Sequence, residues 1–117
     1  MDIFYYLKSC DTCRRILKKL SLPDSVTLIN IKENPLNKDQ LATLYSQTNS
    51  YTALFNSRTQ LLRKRELKAS ELSEETMRDL LLEHYSFLKR PVLIYQDKLF
   101  IGNAPAIIAA AEKALHE

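Results

Sequence analysis

The segment KSCDTCRRILKKL, residues 8–20, constrains the fold of this chain more than any other segment. It follows the apolar and aromatic run Ile3–Leu7, which predicts a short buried strand. From about Asp11 onward, apolar and basic side chains alternate with the period of an amphipathic helix. Cys10 and Cys13 are therefore predicted to lie one helical turn apart, at the junction between a strand and a helix.

The rest of the sequence predicts a second strand, a helical segment, a hairpin and a last helix. Val26–Ile31 is β-branched and apolar, so the chain is expected to begin with a parallel β-α-β unit with a right-handed connection. A capping box of Asn37 and Gln40, an N-cap at Ser73 and helical periodicity predict a helical insert over approximately residues 37–85, without a strand. Val92–Tyr95 and Leu99–Ile101 then predict an antiparallel hairpin, and Asn103 is predicted to cap the last helix.

The length and composition fit a single α/β domain. A chain of 117 residues is about the size of one domain, so residues 1–117 are predicted to form one domain that carries the insert. The net charge of +3 is far from that of a strongly basic nucleic-acid binder. No apolar run approaches the ~18 residues that cross a bilayer, and the N-terminal residues lack the features of a signal peptide. We therefore expect a cytoplasmic protein with no membrane partner and no direct contact with nucleic acid.

The chain has only two cysteines, which cannot form the disulfide framework of a small secreted domain. A thiol becomes reactive when its thiolate is stabilised, and the first turn of a helix does this through unpaired N–H groups and the positive end of the helix dipole. Cys10 is predicted to lie at that position, with Arg14 adding positive charge nearby and Asp11 opposing it. The CxxC spacing after the first strand of a β-α-β unit is typical of a thioredoxin-like redox motif.

Two other interpretations of the cysteines remain open. A structural zinc site needs four ligands, and beyond Cys10 and Cys13 the chain offers only His84 and His116, which lack a second paired ligand spacing. No metal is therefore expected. Free cysteines also pack as small apolar residues, and this interpretation applies more to Cys13, inside the helix, than to Cys10.

Further motifs follow in a fixed order along almost the whole chain. With the cysteine segment they comprise Cys10–Leu20, Lys32–Pro35 with Leu41, Leu54–Arg63 and Lys89–Pro91. This ordered set resembles the glutaredoxin-linked arsenate reductase family, which also contains the Spx regulators and YffB-like proteins. The resemblance implies a thioredoxin-like α/β fold, with the order β-α-β, helical insert, β-β-α, around a four-stranded mixed sheet.

The resemblance also implies roles for individual residues. Cys10 matches the nucleophilic cysteine of the family. Arg58 and Arg90 match two arginines that hold an oxyanion, a role that suits the planar fork of donors in a guanidinium. Arg14 matches a basic position just after the cysteine motif and is grouped with them as a substrate-binding residue. Pro91 matches the proline that faces the active cysteine at the start of the third strand, often after a cis peptide bond.

Two positions depart from the arsenate reductases of the family. Those enzymes usually have a serine where this chain has Cys13, and they carry a further arginine after the last strand, where this chain reads Phe100–Pro105. The missing arginine weakens the expectation that arsenate is the substrate. Cys13 makes the motif resemble the CxxC switch of the Spx regulators.

These observations lead us to expect a cytosolic thiol-dependent oxidoreductase, in which Cys10 attacks an oxyanion or a disulfide and Cys13 or glutathione resolves the adduct. No bound cofactor is expected, and glutathione, glutaredoxin or thioredoxin would supply the electrons. The alternative is a redox-sensing regulator like Spx, whose disulfide changes its affinity for RNA polymerase. A third interpretation is a family scaffold without activity, in which the cysteines serve only for packing.

Overall fold

The computed structural model describes residues 2–117. The chain divides into two compact units. The first runs to Asn34 and resumes at Arg90, and the second comprises Pro35–Lys89. The prediction that all 117 residues form one domain stays a prediction.

The helices and strands appear in the predicted order. The strands are β1 (Ile3–Tyr6), β2 (Thr27–Asn30), β3 (Val92–Tyr95) and β4 (Lys98–Ile101). The helices are α1 (Asp11–Leu20), α2 (Lys38–Thr48), α3 (Gln60–Lys64), α4 (Glu74–Glu83) and α5 (Pro105–His116). Three short 3₁₀ turns, Thr52–Leu54, Ala69–Glu71 and Tyr85–Phe87, complete the second unit.

The sheet of the first unit has the strand order β2-β1-β3-β4. β1 runs parallel to β2 and antiparallel to β3, and β3 pairs with β4 as an antiparallel hairpin. This mixed four-stranded sheet confirms the predicted fold class. Because β1 and β3 are antiparallel, the end of β1 and the start of β3 lie at the same edge of the sheet, with Tyr5 opposite Val92.

The core of the first unit fixes the position of α1. Phe4 and Leu93 pair across β1 and β3 and form a buried cluster with Ile16 and Leu20 of α1 and with Ala111 of α5. Each large apolar side chain buried in this way contributes about 1.5–3 kcal/mol. The cluster therefore holds α1 against the sheet, and the short Leu7–Ser9 connection places the N-terminus of α1 at the end of β1.

The second unit is built from α2, α3, α4 and the 3₁₀ turns. The predicted capping box at the start of α2 is confirmed, since Gln40 N donates to Asn37 Oδ1 at 2.8 Å and Asn37 N donates to Gln40 Oε1 at 3.0 Å. Ser73 caps α4 by accepting a hydrogen bond from Thr76 N, also as predicted. No strand lies within residues 37–85, but the prediction of helix throughout was too broad, because irregular turns separate the short helices.

One helix start was predicted wrongly. The residue that precedes α5 is Ala104, with extended backbone angles of φ −60° and ψ 139°, and not Asn103. A residue before proline is disfavoured in helical conformation, so Pro105 moves the boundary by one residue. As a result, no side chain caps α5.

Candidate active site around Cys10

Cys10 lies at the mouth of α1, as predicted from the sequence. It is the N-cap residue, with extended backbone angles of φ −90° and ψ 119°. Its N–H donates to Leu7 O at 3.0 Å and its carbonyl accepts from Arg14 N at 3.0 Å. The side chain is partly exposed. Cys10 is therefore held by its backbone while its sulfur remains within reach of a substrate.

The surroundings of the Cys10 sulfur favour the thiolate. Partial burial opposes ionisation, but hydrogen bonds from the backbone N–H and the thiol of Cys13, from the N–H of Thr12 and from Arg90 outweigh it and hold the pKa of Cys10 below its ordinary value. Thr12 and Cys13 lie in the first turn of α1, so their N–H groups and the positive end of the helix dipole stabilise the charged form of the sulfur. This combination is typical of a reactive cysteine.

Cys13 has the opposite environment. Its side chain is fully buried, at 0% exposure. Burial raises the pKa of Cys13 to about 11, and the nearby Cys10 adds to this rise, while a backbone hydrogen bond from Leu7 and the charge of Arg90 partly offset it. Cys10 therefore ionises first, and Cys13 keeps its proton at neutral pH.

Arg90 and Pro91 lie at the start of β3. The Arg90–Pro91 peptide bond is cis, as the family resemblance implied, and Pro91 is buried with its carbonyl accepting from Gly102 N at 2.8 Å. Arg90 stabilises the Cys10 thiolate. Its Nη1 is buried without a hydrogen-bond partner in the part of the chain that the structure describes. An unpaired buried donor costs about 1–3 kcal/mol, and an acceptor placed beside this nitrogen would remove that cost.

The two other predicted arginines are both exposed but differ in their contacts. Arg14 forms an ion pair with Asp11 and donates from Nη1 to the carbonyl oxygen of Lys8 at 3.2 Å. Arg58 belongs to the second unit, where its backbone N–H donates to Asn56 Oδ1 at 3.1 Å. The first unit thus brings together Cys10, Cys13, Arg14, Arg90 and Pro91.

Sequence reasoning missed two features of the site. The Thr12 N–H contributes through the backbone, which leaves no signature in the side chain. The Lys8 carbonyl oxygen, which accepts a hydrogen bond from Arg14, also belongs to the backbone and has no sequence signal. Residues 2–117 contain no group of three or more His, Cys, Asp or Glu side chains placed to hold a metal ion, and no helix in them is long and apolar enough to span a membrane.

Comparison with known proteins identifies the family. The profile of the ArsC family matches residues 5–111. The chain belongs to the ArsC family. The match runs through the Cys10 motif and through Arg90 and Pro91, so the site described above lies inside it.

Similar proteins in this family carry two kinds of name. The global transcriptional regulator Spx of Streptococcus agalactiae is 30% identical over 104 residues, which cover 87% of this chain and 76% of the regulator. An arsenate reductase (ArsC) related protein from Brucella melitensis is 28% identical, with a TM-score of 0.68 over 93% of this chain and 92% of its own. A protein named YffB is 25% identical, with a TM-score of 0.70 over 98% of this chain and 99% of its own. This ArsC-family chain therefore has the thioredoxin-like fold that the motifs implied.

Proposed function

We propose that this ArsC-family protein is a cytosolic thiol-dependent oxidoreductase in which Cys10 is the nucleophile. One observation carries the proposal: within a single helical turn, Cys10 has a lowered pKa at the mouth of α1 while burial raises that of Cys13 to about 11. When the pKa values of two neighbouring thiols differ in this way, one thiol is the better nucleophile as a thiolate, and the other stays protonated until it attacks the mixed disulfide.

The reaction with a disulfide substrate runs in two exchanges. The Cys10 thiolate attacks one substrate sulfur, a mixed disulfide forms, and the other substrate sulfur leaves as a thiolate that takes up a proton. Cys13 then loses its proton and attacks Cys10, which releases the second substrate thiol and leaves a Cys10–Cys13 disulfide. Glutathione, glutaredoxin or thioredoxin returns the two electrons, so no bound cofactor is needed.

An oxyanion substrate would use the arginines. The unpaired buried Nη1 of Arg90 supports a role in holding an oxyanion beside Cys10, because a guanidinium hydrogen-bonds oxyanions with its planar fork. Arg58 is proposed as the second arginine on the family resemblance, and Pro91 as a wall of the substrate site. The family's further arginine after the last strand is replaced here by Phe100–Pro105, so we propose a disulfide or an oxyanion other than arsenate as the main substrate.

Two parallel assays test this function. Purified protein is incubated with arsenate in one and with a small disulfide in the other, each with glutathione and glutaredoxin or with thioredoxin, and consumption of reductant is followed. We expect turnover of the disulfide that Cys10→Ser abolishes and Cys13→Ser slows. Disulfide turnover that survives Cys10→Ser, or no turnover of the disulfide with any donor, would exclude the proposed disulfide reaction.

A second candidate function is redox-sensing regulation through RNA polymerase. The observation that favours it is the 30% identity with a global transcriptional regulator Spx, together with a cysteine at position 13. It predicts that RNA polymerase is retained by the immobilised protein to a different extent in the oxidised and reduced states. Equal retention in both states, or none, would exclude this candidate.

A further inference from the structure

The guanidinium of Arg14 connects the two chain segments that flank Cys10. Its Nη2 pairs with the carboxylate of Asp11, the residue directly after Cys10. Its Nη1 donates to the carbonyl oxygen of Lys8, two residues before Cys10, at 3.2 Å. Both terminal nitrogens of Arg14 are therefore engaged by groups on opposite sides of the candidate nucleophile.

The segment before Cys10 is also held from its other side. The backbone N–H of Lys8 donates to Asn30 Oδ1 at the end of β2, at 3.2 Å, and Asn30 Nδ2 donates to Glu33 Oε1 at 3.3 Å. Lys8 is thus fixed through its N–H to the sheet and through its carbonyl to α1. Ser9 and Cys10 follow directly, so their backbone conformation depends on this pair of contacts.

The side chains that make these contacts are exposed, so we expect the contacts to act on the local backbone and not on the stability of the whole fold. The side chains of Arg14 and Asp11 are 55% and 83% exposed, and an ion pair this exposed contributes little to overall stability. The hydrophobic cluster, not Arg14, holds α1 on the sheet. The contacts of Arg14 act instead on the short stretch that sets the extended backbone of Cys10.

We propose that Arg14 is a positioning residue that brackets Cys10, holding the Lys8 carbonyl and the Asp11 carboxylate so that the sulfur stays over the first amide groups of α1. This rests on the proposed function only in taking Cys10 as the reactive thiol. It differs from direct binding of substrate by Arg14, because each Nη atom donates to a partner within the chain and the effect reaches a substrate only through Cys10. Arginine suits the role, since its planar fork donates to two acceptors at once, whereas lysine is a point charge.

The reactivity of Cys10 as a function of pH tests this role without substrate. The charged and titratable groups around Cys10 are Lys8 before it, Asp11, Cys13 and Arg14 in α1, and Arg90 at the start of β3. The rate of Cys10 alkylation by iodoacetamide is measured from pH 4 to 10 by mass spectrometry, in the natural protein and in Arg14→Ala, Arg14→Lys and Arg15→Ala. Arg15→Ala is the matched control, because it removes an equal charge from the next residue of α1, whose side chain hydrogen-bonds Thr12 Oγ1 at 3.4 Å.

Bracketing predicts a specific ranking of the variants. Arg14→Ala and Arg14→Lys should both move the midpoint of Cys10 alkylation upward, by on the order of 0.5–1 pH unit, because the α1 amide groups no longer face a fixed sulfur. Arg15→Ala should leave it nearly unchanged. Thermal unfolding should show all three variants folded, since positions 14 and 15 are exposed.

Each contrary result has a distinct meaning. If Arg14→Lys has the same alkylation midpoint as the natural protein, the positive charge alone matters and the positioning role is wrong. If Arg14→Ala has the same midpoint as Arg15→Ala, Arg14 has no specific role beside Cys10. If Arg14→Ala leaves the midpoint unchanged but raises the KM for an anionic substrate, Arg14 binds substrate and the inference fails. If Cys10 of the natural protein has no lowered midpoint, the proposed function fails before Arg14 is considered.

Discussion

At the scale of residues, the candidate site contains two cysteines whose environments differ because of their positions relative to α1. Cys10 precedes the first turn and meets backbone N–H groups, whereas Cys13 lies on the face that carries Ile16 and Leu20 into the core. The spacing of residues 13, 16 and 20 is the helical repeat of a buried face, so the burial of Cys13 was readable from the sequence. The unpaired Arg90 Nη1 was not, because it depends on packing at the start of β3.

The raised pKa of Cys13 predicts a loss of stability in alkali. Folding raises this pKa from 9.0 to about 11, so between these values the folded state holds a proton that the unfolded state has released. The free energy of unfolding therefore falls as pH rises through this window, with a slope of at most about 1.4 kcal/mol per pH unit for one proton. Below pH 9 the thiol is protonated in both states, and the stabilising contribution of buried Cys13 is fully present.

Urea unfolding of the natural protein and of Cys13→Ala at several pH values between 8 and 11 measures this contribution. Other groups titrate in the same window in both proteins, so the difference in slope reports Cys13 together with its effect on Cys10. The variant should be less stable below pH 9 and should lose stability less steeply above it. Parallel pH profiles for the two proteins would contradict the buried, protonated Cys13.

At the scale of elements, the residue that caps the N-terminus of α1 is Cys10, which is not among the preferred N-cap residues. Serine is among the best N-cap residues, and the effect of a good cap is typically about 1 kcal/mol, whereas the sulfur of a neutral cysteine is only a weak acceptor for the N–H groups of Thr12 and Cys13. At position 10, the residue that would best stabilise α1 therefore differs from the residue that the proposed activity needs.

Cys10→Ser should stabilise the protein while it abolishes the proposed activity. In mildly acidic solution, which favours the neutral thiol, we expect a gain of about 0.5–1 kcal/mol in the free energy of unfolding, measured with urea. Cys10→Ala serves as the control that has neither cap nor thiol. A Cys10→Ser protein that is less stable than Cys10→Ala would show that the hydroxyl does not cap α1.

The predictability of the elements follows from how local their signals are. The Asn37–Gln40 capping box and the Ser73 cap depend on residues three apart, and both were predicted correctly. The β3–β4 hairpin was predicted from its short loop, although Gln96 and Asp97 adopt positive φ angles of 49° and 64° without a glycine. The start of α5 was predicted wrongly because the effect of Pro105 on its neighbour outweighed the capping preference of Asn103.

At the scale of the whole molecule, the strand order β2-β1-β3-β4 joins segments far apart in the sequence. Local patterns predicted the β1–β2 pair and the β3–β4 hairpin but not the pairing of β1 with β3, so the single mixed sheet came from the family resemblance. The proposed function is also only partly predictable from local sequence. The position of Cys10 at the N-terminus of a helix follows from the local pattern, whereas a substrate site depends on groups from several segments.

The missing family arginine predicts how the whole site treats arsenate. Losing one charge-assisted hydrogen bond costs about 1.5–3 kcal/mol, which is roughly a ten- to hundred-fold loss in affinity. We expect feeble arsenate reduction by the natural protein, an improvement in Asn103→Arg, which places an arginine after the last strand, and loss of the remaining activity in Arg90→Ala. Efficient turnover at low arsenate without the substitution would show that another residue completes the site.

Selective alkylation tests the central claim, that Cys10 is the reactive thiol and Cys13 its protonated partner. The reduced natural protein is treated with a limiting amount of iodoacetamide between pH 5 and 9, and fragmentation of the peptide that contains both residues assigns the label. Because its pKa is lowered and that of Cys13 is raised to about 11, Cys10 should react first and already below neutral pH, with Cys13 unlabelled throughout. Equal labelling of the two cysteines, or labelling of Cys13 first, would contradict the account.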